Sequence, residues 1–501
     1  MKSITTIEFE LSPMEEADKA ILEAISTFFL NLEDDEPVSN DIENSVKEYL
    51  EAFREDLYCL IEYPYVDKVY RDSYYSYYSS KHADYQRDSI RVSLFEPTVT
   101  GNEFLDPAQH GTLNKKYLGY FTIRPTLNSL FGRSLINPKA MLESDFKACL
   151  CKGESFVFGA KLQTEGFPHS AQDEETILCA ETTIWGLMEY FSSRYPDYKP
   201  VLPSQIHSAL KNLIFQRQLP SMGLSMDQIS FALKEFGFGT RIYNQNPYSS
   251  GIYNLIDCYI ESGIPVLIGL ESDTIGHVII GIGKEYDHTF DINTVKKTTF
   301  HSHGRDKEFL EHTNFPKRYV VQDDNLAPYR VIDIDNPGEH YPGSQGFDDM
   351  KVDSVIVPLY PKIYLEAELA RKLFLELIKD EDVGFDFEDG FIFRYFLASS
   401  RSFKRHVSAI KEINTGLKFI IVSSKMPKFI WCGEIYSSES SAKEGDEPIG
   451  LIILDATEAN KAGIDALLFA GYPDRCIRRD ENNFVDLQGA LEKYTYYSNL
   501  K

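Results

Sequence analysis

Cys179 sits where sulfur chemistry is easiest to support. In the stretch QDEETILCAETTIWGLMEYFSS (172–193), Ile184, Leu187, Met188 and Phe191 fall at i, i+3, i+4 and i+7. That spacing predicts a helix with one buried stripe from Thr183 onward. The cysteine then lies in or just before the first turn, where unpaired N–H groups and the helix dipole favour thiolate over thiol. A thiolate nucleophile needs a base, a group that orients the base, and donors for an oxyanion.

A base and its orienting acid are available further along. His277 follows the turn ESDTIG and opens the apolar strand HVIIGIG (277–283); RYVVQDD (318–324) reads as a later strand ending in Asp323 and Asp324. If these strands pair antiparallel, the start of one lies beside the end of the other. His277 then meets Asp323, or alternatively Asp324. Such a carboxylate fixes one imidazole nitrogen and leaves the other for Cys179. Gln172, seven residues before the cysteine, is placed to offer a side-chain N–H to an oxyanion, with the Cys179 backbone N–H as second donor.

Gln–x6–Cys before a helix, His opening a strand and Asp closing the next resembles the papain-like cysteine peptidase superfamily. Its compact bacterial branch, the double-glycine-leader (bacteriocin-processing) peptidases, is the most similar. Over residues 155–360 the resemblance implies Cys179 as nucleophile, His277 as base, Asp323 as orienting acid and Gln172 as oxyanion donor, with no metal and no cofactor. The expected activity is that of a cysteine hydrolase, a peptidase, which cleaves an amide bond in a peptide or protein through a thioester. Two alternatives share the scaffold: an acyltransferase or transglutaminase-like enzyme, and an inactive papain-like sensor or adaptor in bacterial stress or phage defence. The chain departs from the family pattern in Thr176-Ile177-Leu178 before the cysteine, the seven-residue glutamine spacing and Asp324 after Asp323.

The elements around these residues predict an α+β fold. A helical half carries the cysteine and an antiparallel β half carries His277 and the aspartates, a papain-like core over 151–360. At 501 residues, roughly 150 per domain suggests three domains. The flanks 1–150 and 361–501 are expected as α/β-type domains that either stand apart or pack together as one body. In the N-terminal part, 89–95 and 118–124 read as strands, and 155–161 as a short strand before the central stretch. The tyrosine-dense run 58–85 offers a peptide- or sugar-stacking surface, though such rings more often fill a core. Arg124 and Arg133 are expected in structural salt bridges, and Cys149-x-Cys151 lacks the partners of a zinc site.

Between the His277 and Asp323 strands lies a polar excursion, 284–317, carrying His288, His301, His303 and His312. It predicts a mobile surface loop, a lid or a segment cut in self-processing, rather than a zinc site. The closing 40 residues read as helical or irregular. A net charge of −26 repels phosphate backbones and anionic lipid, arguing against nucleic acid as partner. No run approaches the ~20 apolar residues that span a bilayer, and the N-terminus lacks a signal-like apolar core. Seven scattered cysteines without a Cys-x-x-Cys pair fit a reducing, cytoplasmic setting.

Overall fold

A computed structural model describes residues 6–32, 37–126, 129–213, 218–245, 251–286, 289–341, 346–457, 463–480, 483–487 and 489–501. Helix and sheet are mixed, as the α+β expectation requires. The chain divides into two compact units, each built from separated segments. The first comprises residues 1–237, 267–281 and 320–354; the second comprises 238–266, 282–319 and 355–501. Residues 1–150 and 361–501, expected as flanking domains, therefore fall in different units.

The first unit holds a seven-stranded antiparallel sheet. Its order is Glu8–Pro13, Tyr58–Tyr65, Ser89–Phe95, Tyr117–Ile123, Phe131–Ile136, Ala160–Ser170, Cys151–Val157. The two last-named strands form a hairpin where a single short strand is expected at 155–161, and Phe158 (φ 43°) and Gly159 (φ 89°) make the turn. This sheet therefore continues past residue 150, to Ser170. The tyrosine run forms a strand and the helix Lys68–Ser76, and Tyr70, Tyr77 and Tyr78 pack as a buried cluster. Arg133 pairs with Asp67, whereas Arg124 donates to the backbone carbonyls of Ser129 and Gln172.

The helix Cys179–Arg194 is buried without a break from Ala180 to Met188, not along one stripe. Off the stripe, the small residues Thr182, Thr183 and Gly186 are buried beside Trp185 and Glu181. A Cβ at Gly186 would stand 3.0 Å from the Pro168 carbonyl oxygen, a tight contact that glycine avoids where helix and strand approach. The hydroxyls of Thr182 and Thr183 bond back to the carbonyls of Cys179 and Ala180, which satisfies them away from water.

The second unit holds an eight-stranded sheet ordered Lys297–Ser302, Arg305–Glu311, Phe391–Ser399, Phe429–Tyr436, Gly450–Asp455, Leu467–Gly471, Cys476–Asp480, Asn483–Leu487. Two expectations change here. The histidine-bearing excursion is a hairpin whose second strand pairs parallel to Phe391–Ser399. The closing residues supply three further strands rather than a helix. His301 is bonded to Asp306, His303 to Ser302, and His312 is buried, so these three are spent separately; His288 lies outside the described residues.

A fully buried charge cluster crosses the core of this unit. Arg394 and Glu434 face each other on adjacent strands and bond at 2.5 Å. Arg394 also holds Glu261, the last residue of the helix Ile252–Glu261, at 3.0 Å through Nε. Lys284 bridges Glu261 and Asp257, each at 2.8 Å, and Lys317 adds a second cation to Asp257 at 2.8 Å. Burial opposes charge on Glu261 and Asp257, but the neighbouring cations hold both carboxyls below their ordinary range. No described helix is long and apolar enough to cross a membrane.

Candidate active site

All the residues singled out for chemistry lie in the first unit. Cys179 is the first residue of its helix, and no carbonyl lies four residues back inside the helix to receive its N–H. Glu181 accepts the Leu178 N–H at 3.2 Å, fixing the entry to the first turn. The loop before it is organised by Asp173, whose carboxylate accepts the N–H groups of Glu175 (3.0 Å), Thr176 (2.6 Å) and Ile177 (2.9 Å) and the Thr176 hydroxyl. Asp-x-x-Thr is a local turn signature that the sequence contains and that went unused.

His277 is the second residue of the strand Gly276–Tyr286, and Asp323 lies one residue past the end of Lys317–Gln322. These strands are neighbours, and the start of one adjoins the end of the other. His277 Nε2 donates to Asp323 Oδ1 at 3.0 Å, while Asp324 Oδ1 is 3.9 Å away, so Asp323 takes the hydrogen bond. The Cys179 thiol neighbours the same imidazole and helps to raise its pKa, and Nε2 being occupied leaves Nδ1 for the sulfur. Asp323 is itself held: its Oδ1 accepts the Asn325 N–H at 3.0 Å, and the Tyr341 hydroxyl donates to Oδ2.

Two rings enclose the imidazole edge-on, Tyr341 at 6.1 Å and Phe347 at 5.6 Å between centroids. Neither was visible from sequence, because both lie in irregular chain beyond the paired aspartates. The first sheet anchors the same segment. The His169 imidazole bonds the Asp323 carbonyl at 2.9 Å, and the Tyr329 hydroxyl donates to Ile136 O while accepting the Phe167 N–H. Gln172 is also drawn in: its backbone N–H reaches Asp324 O at 3.4 Å and its carboxamide nitrogen donates to Asn325 Oδ1. One N–H of that carboxamide is thus committed to Asn325.

Burial disfavours a charged His277, yet the Asp323 carboxylate, with smaller help from Cys179 and Asp324, keeps its pKa well above the usual imidazole value. Asp323 is held below the ordinary aspartate value by that imidazolium and by the Tyr341 and Asn325 donors, against the opposing effect of burial. Asp324 behaves oppositely. Burial pushes its carboxyl up to about 7, the His277 charge pulls against this, and the Asp323 charge adds to it. The imidazole thus has a half-exposed thiol as its neighbour on one side and a carboxylate on the other.

A folded-state pKa near 7 against an ordinary 3.8 fixes a sign. Ionising Asp324 disfavours the fold, so its cost appears as pH rises from about 4 and is complete above pH 7. Asp324→Asn, which stays neutral, is expected to leave the melting temperature near wild type at pH 4 and raise it increasingly up to pH 8. Thermal unfolding across that range checks this, and a pH-independent difference would refute it.

His277, Asp323 and Asp324 bring ligand-type atoms within 4.8 Å of one another, a spacing that could hold a cation. The acceptors of Asp323 are already filled by His277, Asn325 and Tyr341, so a metal there would have to displace that bonding. No family model matches the chain, and no curated protein matches it.

Proposed function

We propose that the chain is a cysteine hydrolase that cleaves peptide amide bonds through Cys179, His277 and Asp323 on a papain-like arrangement. One observation carries this reading: the Cys179 thiol neighbours the His277 imidazole, which is hydrogen-bonded to Asp323, itself held by the Tyr341 hydroxyl. The thiolate attacks the carbonyl carbon and the C=O π pair moves to oxygen, where the Cys179 N–H and the second Gln172 carboxamide N–H stabilise it. Collapse breaks the C–N bond as the imidazolium gives its proton to the leaving amine. Water then attacks the thioester while the imidazole takes its proton, and thiol and acid are released.

The other six cysteines are buried, and burial raises Cys59 to about 12 and Cys476 to about 11. All seven are free thiols, in accord with a reducing, cytoplasmic setting. Accessibility alone would make Cys179 label first, so the test is the pH profile. Alkylation of Cys179 by iodoacetamide is expected to stay fast below pH 7, as for a thiolate–imidazolium pair. An ordinary thiol instead slows about tenfold per pH unit below ~8.5. That ordinary profile, mapped to Cys179 by peptide analysis, would remove the basis for the hydrolase.

A further inference from the structure

Charge is unevenly spread in the second unit. Residues 399–430 carry seven lysines and arginines against one acid, Glu412, a net charge of +6 in a chain whose total is −26. They include the helices Ser400–Ala409 and Thr415–Ser423. Lys404 on the first helix donates to the Ser424 carbonyl at the end of the second, at 2.5 Å. Lys418 on the second donates to the Ile410 carbonyl at the end of the first, at 2.6 Å, so the two run antiparallel. Phe403, Val407, Leu417 and Ile421 pack with Phe396 and Ile430 against one face of the eight-stranded sheet. The opposite sides of both helices meet solvent.

That outer side is cationic and uncompensated. Arg401, Lys404, Arg405, Lys411, Lys418 and Lys425 have no ion-pair partner among the described residues. Lys404 and Lys418 donate to neutral carbonyls, which leave their charges in place. An apolar pair rises from the same side. Phe419 is 70% exposed and Val422 is 36% exposed, and their i, i+3 spacing points them the same way. Exposed Lys425 follows them in the chain, and exposed Arg401 and Arg405 stand on the neighbouring helix.

Unpaired cations attract an anionic partner, and a raised phenyl ring and isopropyl group gain by leaving water. An acidic peptide or a phosphate backbone answers the first need alone. A nucleic-acid base would stack on Phe419 but has no use for aliphatic Val422. The surface of an anionic bilayer answers both, with basic side chains on lipid phosphates and apolar ones at the headgroup–acyl boundary. The total charge of −26 repels such a surface at a distance, yet screening limits each exposed charge to a reach of about 8 Å at physiological ionic strength. Contact is therefore decided by the side presented. Independently of the hydrolase reading, we infer that these paired helices are a docking surface for an anionic membrane, such as the cytoplasmic leaflet.

All of these residues belong to the second unit and Cys179 to the first, so binding is measured apart from turnover. In co-flotation, the full chain is expected to bind vesicles of equal parts phosphatidylglycerol and phosphatidylcholine at least about tenfold tighter than pure phosphatidylcholine. Salt at about 1 M, where the Debye length is about 3 Å, should release it. Arg401→Gln/Arg405→Gln/Lys425→Gln should lower affinity for the mixed vesicles about tenfold or more, and Phe419→Ser several-fold. Melting temperatures should stay near wild type, because all four side chains are exposed. Phe419→Trp should keep the binding and shift its emission to the blue on mixed vesicles alone. No vesicle binding, equal binding to both compositions, an ineffective charge variant or no blue shift in Phe419→Trp would each overturn the inference. Single-stranded oligothymidine bound as tightly as the mixed vesicles would assign the helices to nucleic acid and overturn it as well.

Discussion

Alanine at position 277 is expected to lower kcat/KM for a peptide substrate by about 10⁴-fold, the scale seen when a triad base is lost or mispositioned. In the proposed mechanism the imidazole has three tasks: it holds the sulfur as thiolate, protonates the leaving amine and activates water. His277→Ala should also convert the alkylation profile of Cys179 to that of an ordinary thiol, because the cation beside the sulfur is gone. The two readouts separate chemistry from folding, since a misfolded chain would expose the six buried cysteines to the same reagent. A variant that folds, keeps its low-pH alkylation and turns over within tenfold of wild type would exclude His277 as the base.

Arg394→Met is expected to destabilise the second unit by about 3–5 kcal/mol, a large share of a typical stability margin of about 5–15 kcal/mol. The substitution keeps a long apolar stem but leaves the buried carboxylates Glu261 and Glu434 without their shared cation. Lys284 still reaches Glu261, whereas Glu434 keeps neutral donors, the Tyr436 and Tyr494 hydroxyls at 2.6 and 2.9 Å and the Tyr497 N–H at 3.3 Å. Urea unfolding measures the loss. Adding Glu434→Gln should recover part of it, since the uncompensated charge rather than the missing bond accounts for most of the cost. The contributions of Glu261 and Asp257, whose folded pKa values are depressed, are present above about pH 4.5 and lost as pH falls through those depressed values.

The meeting of His277 with Asp323 was legible because a glycine turn, an apolar strand and a strand ending in acids leave few ways to pair. Choosing between Asp323 and Asp324 was not, because adjacent strand-end residues differ only in which way each points. The Cys179 helix announced its stripe through Ile184, Leu187, Met188 and Phe191, but the rest of its buried surface mixes Trp185 and Tyr190 with Glu181, threonine and glycine, which carry no apolar signal. The strands of the 284–317 excursion stayed hidden for a related reason. Lys297–Ser302 is an edge strand that buries only Phe300 and Ser302, and its neighbour pairs with a strand about 80 positions away. Polar edge strands guard against stray pairing and so imitate loops in sequence. Tyr341 and Phe347 sit in irregular chain, where periodicity says nothing.

Both units are assembled from segments scattered along the chain, and this has a consequence during synthesis. Asp323 leaves the ribosome about 140 residues after Cys179, roughly 7 to 30 s later at ordinary translation speeds. Until then the sulfur has no imidazole–carboxylate partner, and a nascent chain carries an ordinary thiol. Ribosome-bound fragments ending before residue 323 should therefore be inert toward neighbouring polypeptides. If the proposed hydrolase reading holds, order of manufacture would by itself delay the onset of reactivity.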